Sequence, residues 1–130
     1  MMHSVKILSA LALLTAFIIT VSLVSYGILD RTSTDLQKSI SGVEADTTAE
    51  NWENAEQGVK QIKSKWAGVS KTWSILIDHQ EIDNIEFTLS KMEKLISVRD
   101  KNSALAESSA LMNYVRHIPR KENLNFQNIF

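Results

Sequence analysis

Cysteine is absent from the 130 residues. That excludes disulfide frameworks, thiolate metal sites, cysteine nucleophiles and a lipid-modified cysteine anchor. One proline and four glycines leave little punctuation, so long regular elements are expected and collagen-like or low-complexity chains are excluded. Charge of one sign is also lacking: the net is −1, without the basic excess of a nucleic-acid binder. There is no G-x-S-x-G elbow, no glycine-rich phosphate loop and no H-E-x-x-H pair. The length excludes Rossmann and TIM-barrel enzymes. Neither an enzymatic activity nor a cofactor is therefore expected.

What is present divides in two. The mean hydropathy of −0.10 averages an apolar segment with a polar domain. No charge interrupts Ile7–Leu29, which is bounded by Lys6 and Asp30. As a helix this run reaches about 34 Å, enough for a hydrocarbon core of about 30 Å. Its Ser and Thr can bond to their own helix carbonyls, and Tyr26 lies where an interfacial aromatic belongs. A cleaved signal peptide has a shorter apolar region, although Ser25 and Gly27 would fit a weak cleavage site. The reading is an uncleaved signal anchor over residues 1–29, crossing the cell membrane once. Lys6 and the terminal amine face Arg31 and Lys38 across the span, so the charge count is nearly balanced. The short leading tail favours a cytoplasmic N-terminus and an extracytoplasmic domain.

Residues 30–130 hold all 15 acidic residues and 13 of the 14 Lys and Arg. Thr32 to Asp35 offers capping chemistry, and Leu36, Ile40 and Val43 form a thin stripe. Residues 30–46 read as a stalk, either a short helix or a continuation of the membrane helix, ending near Ser41 and Gly42. A strong seam follows in Trp52, Ala55, Val59, Ile62, Trp66, Val69, Trp73 and Leu76, spaced alternately by three and four. Asp46 or Thr47 can cap it, and Gly58 and Gly68 each weaken it by about 1 kcal/mol. The phase slips across Ile77–Gln80, which implies a turn and a second helix, with one kinked continuous helix as the alternative. With Asp78 as N-cap, a second stripe of Ile82, Ile85, Leu89, Met92 and Ile96 begins. Asp100 to Ser103 caps a third stripe, Leu105, Ser108, Leu111 or Met112, Val115 and Ile118, which Pro119 stops. Leu124, Phe126, Ile129 and Phe130 suggest that the tail, residues 119–130, packs back onto the bundle over residues 47–118. Each stripe buries one face only. The fold class is all-α: a transmembrane helix followed by an up-down antiparallel bundle of about three helices.

The densest polar cluster surrounds the second helix start. His79, Asp83 and Glu86 share one helical face and offer an imidazole and two carboxylates to a divalent cation. The competing reading is a capped, solvated first turn. His117 sits near a helix C-terminus, where a cation is favourable; in an antiparallel bundle it could approach other loops, including that of His79, and a structural role is the competing reading. Trp52, Trp66 and Trp73 share the seam, and any part the chain fails to cover becomes a surface for a protein partner or a second copy.

The segments Trp73–Glu86, Ala104–Glu107, His117–Pro119 and Asn128–Phe130 resemble the bacterial domain of unknown function four-three-six-three family. That resemblance covers nearly the whole chain. It marks Asp78, His79, Glu81, Asp83, Glu86, His117 and Pro119 as signature residues. It implies a leading apolar helix and about 100 helical residues, typical of Gram-positive spore-formers, with no assigned activity or cofactor. It also implies a multi-pass membrane protein as partner. The expected function is a non-enzymatic accessory module docking on such a protein. The alternative is an extracytoplasmic ligand or cation sensor built on His79, Asp83 and Glu86.

Overall fold

In the computed structural model the backbone of residues 1–129 and the side chains of residues 1–122 are described. The expected packing of the tail side chains from Leu124 to Phe130 lies outside the described residues. Four helices occur among those described: α1 (Met2–Thr48), α2 (Trp52–Leu76), α3 (His79–Ser97) and α4 (Lys101–Ile129). Each packs on its sequence neighbour, and α4 closes the ring against α1. The result is an up-down four-helix bundle extended at one end by the first half of α1.

The expected count of about three bundle helices is corrected here to four among the described residues. Of the two readings of the stalk, the continuation of the apolar helix is the one found. Residues 30–46 belong to α1, which runs unbroken from the apolar segment to Thr48 and supplies a full bundle helix. Its buried positions are Leu29, Ser33, Leu36, Ile40, Val43 and Thr47, spaced by four and three. Two of the six are hydroxyl residues, so the stripe looks thin to a search for apolar side chains alone. Both are satisfied: Thr47 Oγ1 donates to the Val43 carbonyl at 2.7 Å and Ser33 Oγ to the Val115 carbonyl at 2.7 Å. The residues expected to cap a stalk helix are thus interior to α1. Before Leu29, by contrast, α1 has no buried position.

The second half of α1 ends in a Schellman motif. Asn51 N–H bonds the Asp46 carbonyl at 2.8 Å and Glu50 N–H the Thr47 carbonyl at 3.1 Å, with Glu50 at φ 59°. The same motif ends α3, where Asp100 N–H reaches Leu95, Arg99 N–H reaches Ile96, and Arg99 has φ 61°. Asn51, not Asp46 or Thr47, is the N-cap residue of α2. The expected caps of the later helices are present: Asp78 Oδ1 accepts from Gln80 N–H at 3.0 Å and Asp100 Oδ1 from Ser103 N–H at 3.2 Å.

Pro119 does not stop α4, which continues to Ile129 with the proline inside. A proline removes the amide donor due to the carbonyl four residues earlier. Here that carbonyl is Val115, the one that takes the Ser33 hydroxyl. A side chain from α1 thus fills the gap in the helix ladder. Ser33 also accepts from Gln37 Nε2 at 3.0 Å, which fixes its rotor.

The core is continuous along the bundle. α2 buries Ala55, Val59, Ile62, Trp66 and Trp73, and α3 buries Ile82, Ile85, Leu89, Met92 and Ile96. On α4 the stripe is Ala104, Ser108, Leu111, Val115 and Ile118, with Leu105 only half-buried. Trp66 and Trp73 meet edge to face with ring centroids 5.5 Å apart. Trp73 Nε1 donates to Thr32 Oγ1 at 2.8 Å. Lys65 Nζ reaches Asp35 and Ser39, and Gly58 lies against Val43. These pairs set the antiparallel register of α2 on α1.

Candidate functional site

The tryptophan seam is core. Trp73 is fully buried, Trp66 is 5% exposed and Trp52 half-buried, so these residues do not offer the partner surface expected of them. α1 supplies the cover that a three-helix bundle lacks. Between α2 and α3 a shallow cleft of about 390 Å³, lined by Ala67, Ser70 and Ser90 among others, leaves one edge of Trp66 near the surface.

The proposed cation face does not assemble. His79, Asp83 and Glu86 are all exposed, and no three His, Cys, Asp or Glu side chains among the described residues converge to hold a metal ion. Positions i, i+4 and i+7 span about 10 Å of helix axis, too far for one ion. Glu86 is engaged elsewhere, accepting from Trp66 Nε1 at 3.2 Å. Asp78 is occupied as the cap of α3.

Two signature residues do come together. Glu81, in the first turn of α3, and His117, on α4, line one open polar cleft of about 540 Å³. α3 also contributes Asn84, and α4 contributes Asn113, Tyr114, Arg116 and Arg120. Helical geometry explains the grouping, because Asn113, Arg116, His117 and Arg120 stand at i, i+3, i+4 and i+7 on one face of α4. Arg116, His117 and Arg120 are exposed, whereas Glu81, Asn84 and Tyr114 are half-buried. Lys121 Nζ pairs with Glu81 Oε1 at 3.5 Å, so the carboxylate in the cleft has its own counter-ion. Two guanidinium groups, an imidazole, two amides and a phenol remain. This is a donor-rich set suited to an anion, with no arrangement of nucleophile and base.

The sequence singles out Glu81 in the acidic patch and His117 near a helix end, and an antiparallel bundle lets His117 approach the His79 loop; the arginines and amides of the shared cleft are what it missed. The available signal was the polar face Asn113-x-x-Arg116-His117-x-x-Arg120. Reading Pro119 as a stop removed Arg120 from that helix.

A long apolar helix continuing into a four-helix bundle defines the class: an all-α protein with, among the described residues, one helix long and apolar enough to cross a membrane. The chain belongs to the family described as Domain of unknown function (DUF4363), whose model matches residues 23–129, the last turns of the apolar stretch and the four bundle helices. No curated protein and no solved structure matches it.

Proposed function

We propose that this protein is a membrane-anchored, non-enzymatic accessory module. Its first helix spans the cell membrane, and its bundle stands on the outer face beside a membrane protein partner. The observation that carries the reading is the state of α1. Ile7, Leu8, Leu11, Leu13, Leu14, Phe17 and Ile18 are all exposed along an uncharged helix, while the same helix from Leu29 onward is built into the core. Exposed apolar area on that scale is stable only in contact with lipid or another apolar surface. With the tryptophan seam buried, a membrane partner meets the flank of α1 or the surface of the bundle nearest the bilayer.

The absence of cysteine makes the test direct. Single substitutions Ser4→Cys and Ser90→Cys place one thiol at each side of the proposed span. In intact cells a membrane-impermeant maleimide is expected to label Ser90→Cys and to reach Ser4→Cys only after lysis. The protein is also expected to stay with membranes through alkaline carbonate extraction. Release by carbonate refutes the anchor, and the opposite labelling pattern refutes the orientation.

A further inference from the structure

The seam of α1 does not stop where the core does. Its buried positions step by three and four from Thr47 back to Leu29, and the same steps continue through Tyr26, Ser22 and Ile19, all half-buried. Further back the helix is bare, and even the small Ala12 and Ala16 are exposed. One face of α1 is therefore covered as far as Ile19. α2 and α3 are not the cover. Gly58 lies against Val43, so Asp78, 20 residues further along and in the turn between these helices, comes level with Leu23. α4 is the cover. Ser33 bonds Val115, so Ile129, 14 residues further along α4, lies level with Ile19, 14 residues back along α1. The end of α4 thus passes the α2–α3 turn by about 6 Å.

Charge ends near that turn on every helix. Asp78 is the charged residue of α2 and α3 nearest the apolar half, α1 has no charge between Lys6 and Asp30, and α4 has none after Glu122. Below the turn the uncovered flank of α1 is apolar, with Val21 47% and Ile18 49% exposed. A bilayer does not offer lipid to one side of a helix and water to the other at the same depth. The end of α4 therefore shares the surroundings of that flank. A hydrocarbon core of about 30 Å takes about 20 residues, so counted back from Ser22 it reaches His3, with Lys6 close enough to extend its ammonium to the far interface. The composition agrees. Residues 123–130 are four amides and four apolar residues, and α1 carries hydroxyls at Ser25, Ser22 and Thr20 over the levels of Asn123 to Asn128. Amides and hydroxyls hold neighbouring helices together where lipid supplies no hydrogen bonds. We propose that the end of α4 is a second membrane-inserted segment. Residues 126–129 lie beside α1 in the leaflet nearer the bundle, against lipid acyl chains, so that two helices hold the bundle to the membrane. This rests on the anchor reading, and the experiment reports on the two separately.

Full-length protein is reconstituted into phosphatidylcholine vesicles with a single nitroxide on an introduced cysteine, the chain having none of its own. Phe126→Cys, Gln127→Cys, Asn128→Cys and Ile129→Cys are four successive positions and sample every side of a helix. Leu13→Cys, on the exposed apolar half of α1, is the reference for lipid, and Asn54→Cys, exposed at the far end of the bundle, is the reference for water. Circular dichroism of each variant verifies the bundle. Power saturation is measured with oxygen and with a water-soluble nickel chelate. Loss of nickel access is expected at all four sites of α4 as at Leu13→Cys, with oxygen access equal to that of Leu13→Cys at one or more. Nickel access at any of the four matching Asn54→Cys, while Leu13→Cys stays protected, overturns the inserted segment and leaves the anchor standing. Exclusion of both agents from all four shows protein cover, such as a second chain, and overturns the lipid assignment. Nickel access at Leu13→Cys refutes the anchor, and this proposal with it.

Discussion

Ser33 and Pro119 lie 86 positions apart and form one device. The proline deprives the Val115 carbonyl of its helical donor, and the serine hydroxyl replaces it. Ser33→Ala leaves that buried carbonyl unpaired and is expected to destabilise the fold by about 1–3 kcal/mol. In a Pro119→Ala background, where the amide donor is restored, the same change is expected to lose less by at least about 1 kcal/mol. Chemical denaturation of the four proteins in the cycle measures this coupling. The two glycines of α2 separate in the same way. A Cβ at Gly68 meets nothing within 4 Å, so Gly68→Ala is expected to stabilise by up to about 1 kcal/mol. A Cβ at Gly58 falls 2.6 Å from Val43 Cγ2, a buried β-branched side chain with little room to turn. Gly58→Ala is expected to destabilise by about 1–2 kcal/mol, measured by the same denaturation. From sequence both glycines look equally unfavourable, because propensity is local and the neighbour at Gly58 comes from another helix.

Legibility in the sequence varies from helix to helix, and for physical reasons. α2 was plain because eight apolar residues keep one heptad phase from Trp52 to Leu76. The turn into α3 is signalled by a phase break beside a capping aspartate, which a kinked continuous helix would also explain until the cap is seen. The bundle half of α1 was obscured by Ser33 and Thr47 at seam positions, whose hydroxyls are satisfied by backbone rather than by water. The turns after α1 and α3 carry Glu50 and Arg99 at positive φ, positions where glycine is the usual signal. The extent of α4 depended on Ser33, a contact no local window contains. Because the first buried residue is Leu29, the span contributes nothing to the core. A chain of residues 29–130 is therefore expected to keep a cooperative thermal transition and helical circular dichroism. Non-cooperative melting of that chain contradicts the division of α1 into two independent halves.

For the molecule as a whole, composition announces an apolar segment and a polar helical domain. It leaves the joint between them open between a separate short helix and the continuous one observed. Of the site, the sequence offered Glu81 and His117 and the approach of His117 to the start of α3, but not the amides and arginines that the antiparallel docking of α3 on α4 adds around them.

The unbroken course of α1 makes the protein a lever. The bundle half rises about 30 Å above the last turns of the apolar stretch. A 10° change in the tilt of the span, within the ordinary range for membrane helices, sweeps the Thr48–Trp52 end sideways by about 5 Å. In a chain anchored as proposed, changes in bilayer thickness or in the packing around the span would thus be converted into displacement of the far loops without any change in the bundle itself.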